Sequence, residues 1–178
     1  MICTIGGQEV ISCQLWLRWS GAWSATIQSP SDTILSGKQT ILIGSLALVG
    51  TIDAARSGVY NNISHYRVVG GAGGWGKTVQ AKNYHNDLGV KLRDVLVDLG
   101  KACGETVTTA REDRLSVDYL RRQDKAGLCL QGLIGRDWYV APNGTTVCDA
   151  RKTSEIVSEI QLLKHNPVTK QSSNNSYY

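Results

Sequence analysis

The chain has 178 residues, of which 42% are hydrophobic and 19% charged, enough to bury a core in one domain or two small ones. The net charge of +4 is scattered along the sequence, which leaves no clear footprint for nucleic acid or anionic lipid. Cys3, Cys13, Cys103, Cys129 and Cys148 are odd in number and widely spaced, and His65, His85 and His165 lie far apart, which argues against a disulfide framework and a zinc site and for buried thiols.

The opening, MICTIGGQEVIS, has no basic stretch followed by an apolar one, so no secretory signal is expected. Residues 2–5 and 10–19 read as strands about the Gly6-Gly7 turn, and residues 22–27 alternate as a third. Trp16, Trp19 and Trp23 in this region are core or rim aromatics on the simplest reading. A stacking platform for bases or sugars uses the same residue type but needs interleaved basic residues, and only Arg18 is near. Ser29-Pro30-Ser31-Asp32 breaks the pattern, residues 38–43 and 46–52 form a hairpin over Gly44-Ser45, and residues 65–69 make a further strand. The apolar run 41–52 is too short for the ~20 residues of a bilayer span. Adjacent strands with tight connections predict an antiparallel sheet, curled into a small barrel or sandwich.

Val68 to Thr78 then reads VVGGAGGWGKT, and from Gly71 it satisfies the phosphate-loop pattern G-x-x-x-x-G-K-[ST], with Lys77 and Thr78 as its functional residues. Such a loop works when Lys and the hydroxyl residue open a helix whose positive end faces the phosphates. The residues that follow, VQAKNYHND, lack helical periodicity, no helix precedes Gly70, and the one Asp after an apolar run, Asp98, falls inside a helical pattern. The alternative is a backbone device: glycines at 70, 71, 73, 74 and 76 permit positive φ and close approach, with Trp75 plugging an apolar gap at the sheet edge.

The first convincing helix has Asn86 or Asp87 as N-cap, apolar residues at Leu88, Leu92, Val95, Leu96, Leu99 and Cys103, and Gly104 as the C-cap. A strand over 116–121 follows, then Asp124 capping a shorter helix over 125–134, then a hairpin over 138–147 about Pro142-Asn143-Gly144. Residues 154–163 read as a strand or short helix, and residues 170–178, KQSSNNSYY, as a polar frayed end. The fold class is α+β: an antiparallel, barrel-like sheet with one longer and one shorter helix packed on it.

Two catalytic constellations can be drawn, Ser64-His65 with Asp53 and Cys103 with His85, yet no nucleophile-elbow turn or local signature supports either. Tyr84-His85-Asn86-Asp87 reads as a loop running into a helix cap. No catalytic, cofactor or metal residue is assigned.

From TILIGSLALVGTI through YRVVGGAGGWGKT, AKNYHND, LGVKLRDVLVDLGKACGE, DYLRRQDKAG and DWYVAPNGTTV, the chain resembles the baseplate hub proteins of tailed bacteriophages, the late-control-type tail proteins among them. The similarity spans roughly residues 30–150. It implies a hub-like β-barrel region with inserted helices over 1–150, a C-terminal segment over 151–178, and a structural role in the virion at the tail baseplate or tail tip. It further implies other tail proteins as partners (tube, spike or tip, and surrounding baseplate subunits) and a homo-oligomer, a trimer being favoured. No enzymatic activity, cofactor, membrane or specific nucleic acid is implied. Gly70, Gly71, Gly73, Gly74 and Trp75 match the family's glycine stretch as architecture. Hub proteins of this group are commonly longer, so the chain is expected to be a minimal hub, one part of a split hub, or a neighbouring tip component. The nucleotide-binding enzyme using Gly71 to Thr78 stands as the alternative.

Overall fold

A computed structural model describes residues 3–150 and the backbone of residues 162–166 and 171–175. The N-terminal part contributes β1 (Cys3–Ile5), β2 (Gln8–Glu9), β3 (Ser12–Trp16), β4 (Ser24–Ser29), β5 (Lys38–Ile43), β6 (Leu46–Ile52), β7 (Gly58–Tyr60) and β8 (Ile63–Gly70). They pair antiparallel in the order β2-β1-β5-β6-β8-β4-β3, with β7 on β8. Alternation decides the faces: in β8 the even-numbered Ser64, Tyr66, Val68 and Gly70 are buried while their neighbours are half-buried.

The sheet is not closed, but its two terminal strands are consecutive in the chain, separated only by Val10 and Ile11. Val10 donates to the Cys3 carbonyl at 3.1 Å and Ile11 to that of Gln28 at 2.8 Å, so the seam between the ends is bridged by a bend rather than by a ladder. The expected barrel is therefore not closed: β2 pairs with β1 and β3 with β4, and among the described residues no ladder joins the two ends.

The remaining described elements are β9 (Thr78–Val79), β10 (Lys82–His85), α1 (Leu92–Cys103), β11 (Val107–Thr108), β12 (Asp118–Arg121), β13 (Asp124–Lys125), α2 (Ala126–Ile134), β14 (Tyr139–Val140), β15 (Thr146–Val147), β16 (Leu162–Asn166) and β17 (Gln171–Asn175). α1 buries Leu92, Val95, Leu96, Leu99, Gly100 and Cys103 along one stripe, and α2 buries Ala126, Leu130 and Ile134. Leu96, Leu99 and Leu130 share a single buried cluster with Ile5, Ile27 and Val68 of the sheet, so helices and sheet have one core. This is the α+β arrangement expected, with helices packed on an antiparallel sheet.

Both helix starts differ from expectation. Asn86 accepts the Leu88 N–H at 2.9 Å, which caps a turn and not a helix. Gly89 stands at φ +87°, and Val90 exchanges backbone hydrogen bonds with Leu115 and Ser116, so α1 cannot begin before Leu92. Asp124 lies in β13, paired with β9, and the first N–H of α2, that of Ala126, goes to the Lys77 carbonyl at 2.8 Å. The C-cap was legible: Gly104 is left-handed at φ 85°.

Of the segments 154–163 and 170–178, residues 154–161, 170 and 176–178 lie outside the described residues. Within the C-terminal segment, β16 and β17 pair antiparallel from Leu162↔Asn175 to Asn166↔Gln171. No helix among the described residues is long and apolar enough to cross a membrane.

Candidate functional site

The glycine stretch leaves β8 at Gly70, turns through Gly71 (φ 79°) and Gly73 (φ 71°), passes a 3-10 turn at Gly74–Gly76 and enters β9 at Thr78. Two left-handed residues one apart tip successive N–H groups inward, and this builds a real anion nest. The nest is filled by the chain itself. Glu105, 5% exposed, accepts the Ala72 N–H at Oε2 (2.9 Å) and the Gly74 N–H at Oε1 (2.6 Å). A Cβ on Gly71 would lie 2.6 Å from Glu105 Oε2, and one on Gly74 would overlap the Cys103 carbonyl oxygen. The glycines are thus required by an internal carboxylate and by the end of α1.

The two residues that a phosphate loop would use are placed elsewhere. Lys77 Nζ donates to the carbonyl of Cys103 at 3.4 Å, complementing the C-terminal end of α1, and Thr78 begins a strand and not a helix. Trp75 sits deeper than a plug at the sheet edge: it belongs to the core, its indole N–H donates to Thr146 Oγ1 at 2.9 Å, and its ring meets Trp138 at 5.5 Å.

The other constellations do not assemble. Ser64 and His65 are neighbours on β8 and so face opposite sides of the sheet; Ser64 Oγ donates to the Ser31 carbonyl at 2.6 Å, and Asp53 accepts the Ala55 N–H. Cys103 is buried with its thiol pushed up to about 11 by burial, the reverse of an activated nucleophile. His85 instead pairs with Asp118 (2.6 Å) and Asp87 (3.2 Å) at the surface. Among the described residues no group of three His, Cys, Asp or Glu side chains is placed to hold a metal.

The three early tryptophans also separate. Trp23 is buried, its ring lying across the paired Gly50 and Gly70, where a Cβ at either position would come within 2.7 Å of it. Trp16 and Trp19 are exposed on or just past β3, the last strand of the sheet. Trp16 carries the Arg67 guanidinium 5.1 Å from its ring centre.

Two features were not foreseen. Arg121, 4% exposed, donates to Asp98 (3.0 Å), to the Tyr84 hydroxyl (2.9 Å) and to the Gln80 carbonyl (3.2 Å). Asp98 also receives Lys82 (2.5 Å) and Tyr84 (2.6 Å), and the cluster ties the β10–β12 ribbon to α1. Beside the Trp16 end of the sheet, a concavity of about 460 Å³ is lined by Arg18, Arg67 and Arg136 together with Trp138, Val69 and Ser24, and no acidic side chain lines it among the described residues. Its arginines come from three distant parts of the sequence, so no local signal could have grouped them.

No family model matches the sequence, and no curated protein matches it. Among solved structures, the chain is similar to the prophage MuSo2 43 kDa tail protein from Shewanella oneidensis, with a TM-score of 0.64 and 14% identity over 88% of this chain and 56% of that one. It is also similar to the tail protein from Neisseria meningitidis MC58, with a TM-score of 0.47 and 16% identity over 82% of this chain and 49% of that one. The chain spans about half the length of these two proteins. The first likeness is one of fold.

Proposed function

We propose that the chain is a structural subunit of a bacteriophage tail, a hub or tail-tip component that links the tail tube to the spike or tip complex through protein–protein interfaces. The observation that carries this reading is the shared fold with a prophage tail protein over 88% of the chain. The resemblance of the glycine stretch, helix and terminal hairpin to baseplate hub proteins supports the hub position. The exposed Trp16, Leu17 and Trp19 at the end of the sheet have the composition of a protein interface. Other tail proteins are the partners, a trimer is the favoured state, and the virion tail is the location.

The nucleotide-binding alternative has no support. A phosphate would have to displace Glu105 from the nest and would find a strand where its helix should begin.

The test is size-exclusion chromatography with light scattering, followed by negative-stain imaging of the chain mixed with purified tail components. A symmetric oligomer, or incorporation into a ring with those components, is expected. A chain that stays monomeric and joins none of them overturns the reading.

A further inference from the structure

Among the described residues, the arginine concavity beside β3 is lined by positive charge and by no carboxylate. Among the described residues, ion pairs are made by Arg56, Arg111 and Arg121, but none by Arg18, Arg67 or Arg136. Arg67 is nonetheless built into place. It rises from β8 between β4 and β6, its Nη1 donates to Thr26 Oγ1 at 3.1 Å, its Nη2 donates to Ser24 Oγ at 3.0 Å, and its Cζ lies over the Trp16 ring, 5.1 Å from the centroid. Neutral hydroxyls orient a guanidinium without neutralising it. Arg18, from the segment after β3, and Arg136, from the segment after α2, are exposed and bring two more positive charges to the same hollow. Holding three like charges around one cavity is unfavourable until an anion enters it.

The surroundings say what kind of anion. β3 is paired only with β4 among the described residues; at its start Cys13 meets Cys3 of β1, whereas towards Trp16 its outer backbone edge carries no ladder there. Its end carries Trp16, Leu17 and Trp19, exposed at 39%, 50% and 64%. Aromatic residues and arginine beside a free strand edge match a peptide, whose backbone can use the edge and whose side chain can use the arginines. Nucleic acid needs a row of charges tracking phosphates, whereas these three converge on one cavity.

We propose that this end of the sheet is a docking site for an extended acidic segment of a neighbouring polypeptide, which adds to the edge of β3 and places a carboxylate among Arg18, Arg67 and Arg136. The site does not depend on the assembly being a phage tail, because it requires only a partner strand bearing Asp or Glu.

Fluorescence anisotropy of the full chain tests it, using a short labelled peptide of alternating glutamate and threonine, the same peptide with glutamine for glutamate, and a labelled oligothymidylate of equal charge. The glutamate peptide should bind saturably, with the glutamine peptide weaker by roughly tenfold or more. The exposed double variant Arg18→Gln/Arg136→Gln, whose fold is checked by circular dichroism, should lose a similar factor, and Arg67→Gln at least as much. Equal binding by the double variant, no saturable binding of the glutamate peptide up to about 1 mM, or oligothymidylate binding as tightly as the peptide would each overturn the proposal.

Discussion

The carboxylate of Glu105 accepts the backbone N–H of Gly74 at 2.6 Å, across 31 residues of sequence, and its second oxygen takes the N–H of Ala72. A loop that spells a phosphate site is therefore an anion nest whose anion is a side chain. Glu105 follows directly on the C-cap of α1, so the contact locks the exit of β8 to the end of that helix. Replacing Glu105 by Gln turns one acceptor into an N–H₂ donor aimed at a buried N–H. The expected loss is about 2 to 3 kcal/mol, read as a lowered midpoint in urea unfolding. A loss below about 0.5 kcal/mol, the size of a neutral surface change, would show that the nest does not rely on this carboxylate.

The glycines of the stretch should divide sharply under substitution by Ala. At Gly74 the new methyl would overlap the Cys103 carbonyl, and at Gly70 it would lie 2.6 Å from Trp23 Nε1, both inside the packed core. Each should cost about 2 to 4 kcal/mol or abolish folding. At Gly76 nothing lies within 4 Å of a Cβ and the backbone is not left-handed, so Gly76→Ala should change stability by less than about 0.5 kcal/mol. A nucleotide loop makes the opposite demand, since Gly76 is its last glycine before the lysine. Thermal melts of the three variants distinguish the two.

Which parts of this were readable from the sequence follows from the range of the interactions. The hairpin of residues 38–52 could be placed to the residue, because alternation and a two-residue turn are local signals. The starts of α1 and α2 could not, because Asn86 and Asp124 look like caps and are used otherwise once Leu115 and β9 pair with the segments beside them. The glycine stretch was recognisable as a backbone device from its flanks alone, but its reason was not: Glu105 is an ordinary residue in the string CGET, and only the fold brings it to Ala72 and Gly74. Arg67 was hidden in the same way, one of many basic residues until β8 sets it opposite Ser24 and Thr26.

His85 is a surface group whose titration reports its partners. The hydrogen bond to Asp118 holds its pKa above the ordinary value, with the Asp118 charge and Asp87 acting in the same direction. Because the folded pKa is raised, the pairing is complete below the unfolded value of about 6.5 and is lost as pH rises through the folded value. In an NMR titration the His85 ring signals should shift with a midpoint above about 6.5, and Asp118→Asn should bring it down. An unchanged midpoint in that variant would remove Asp118 as the cause.

The Asp98–Arg121 pair should set how the protein responds to acid. Burial of Asp98 alone would raise its pKa, but hydrogen bonds from Lys82 and Tyr84 and the charges of Lys82 and Arg121 outweigh this and hold it below the usual carboxylate value. A depressed folded pKa means that the stabilisation is present above the unfolded value of about 3.9 and is lost as pH falls through the folded one. Removing the carboxylate as Asp98→Asn leaves the Arg121 guanidinium buried beside a neutral amide, so at neutral pH the variant should be less stable by about 2 to 4 kcal/mol. The same variant has no charge at that position left to titrate. Its deficit relative to the native chain should therefore shrink as urea unfolding is repeated from about pH 6 down to about pH 2. A deficit that stays constant over that range would mean that Asp98 contributes through shape and hydrogen bonding and that its charge plays no part. Arg121→Leu separates these further: it removes the buried cation and leaves Asp98 with Lys82 and Tyr84, so it should cost less than Asp98→Asn and keep much of the acid dependence.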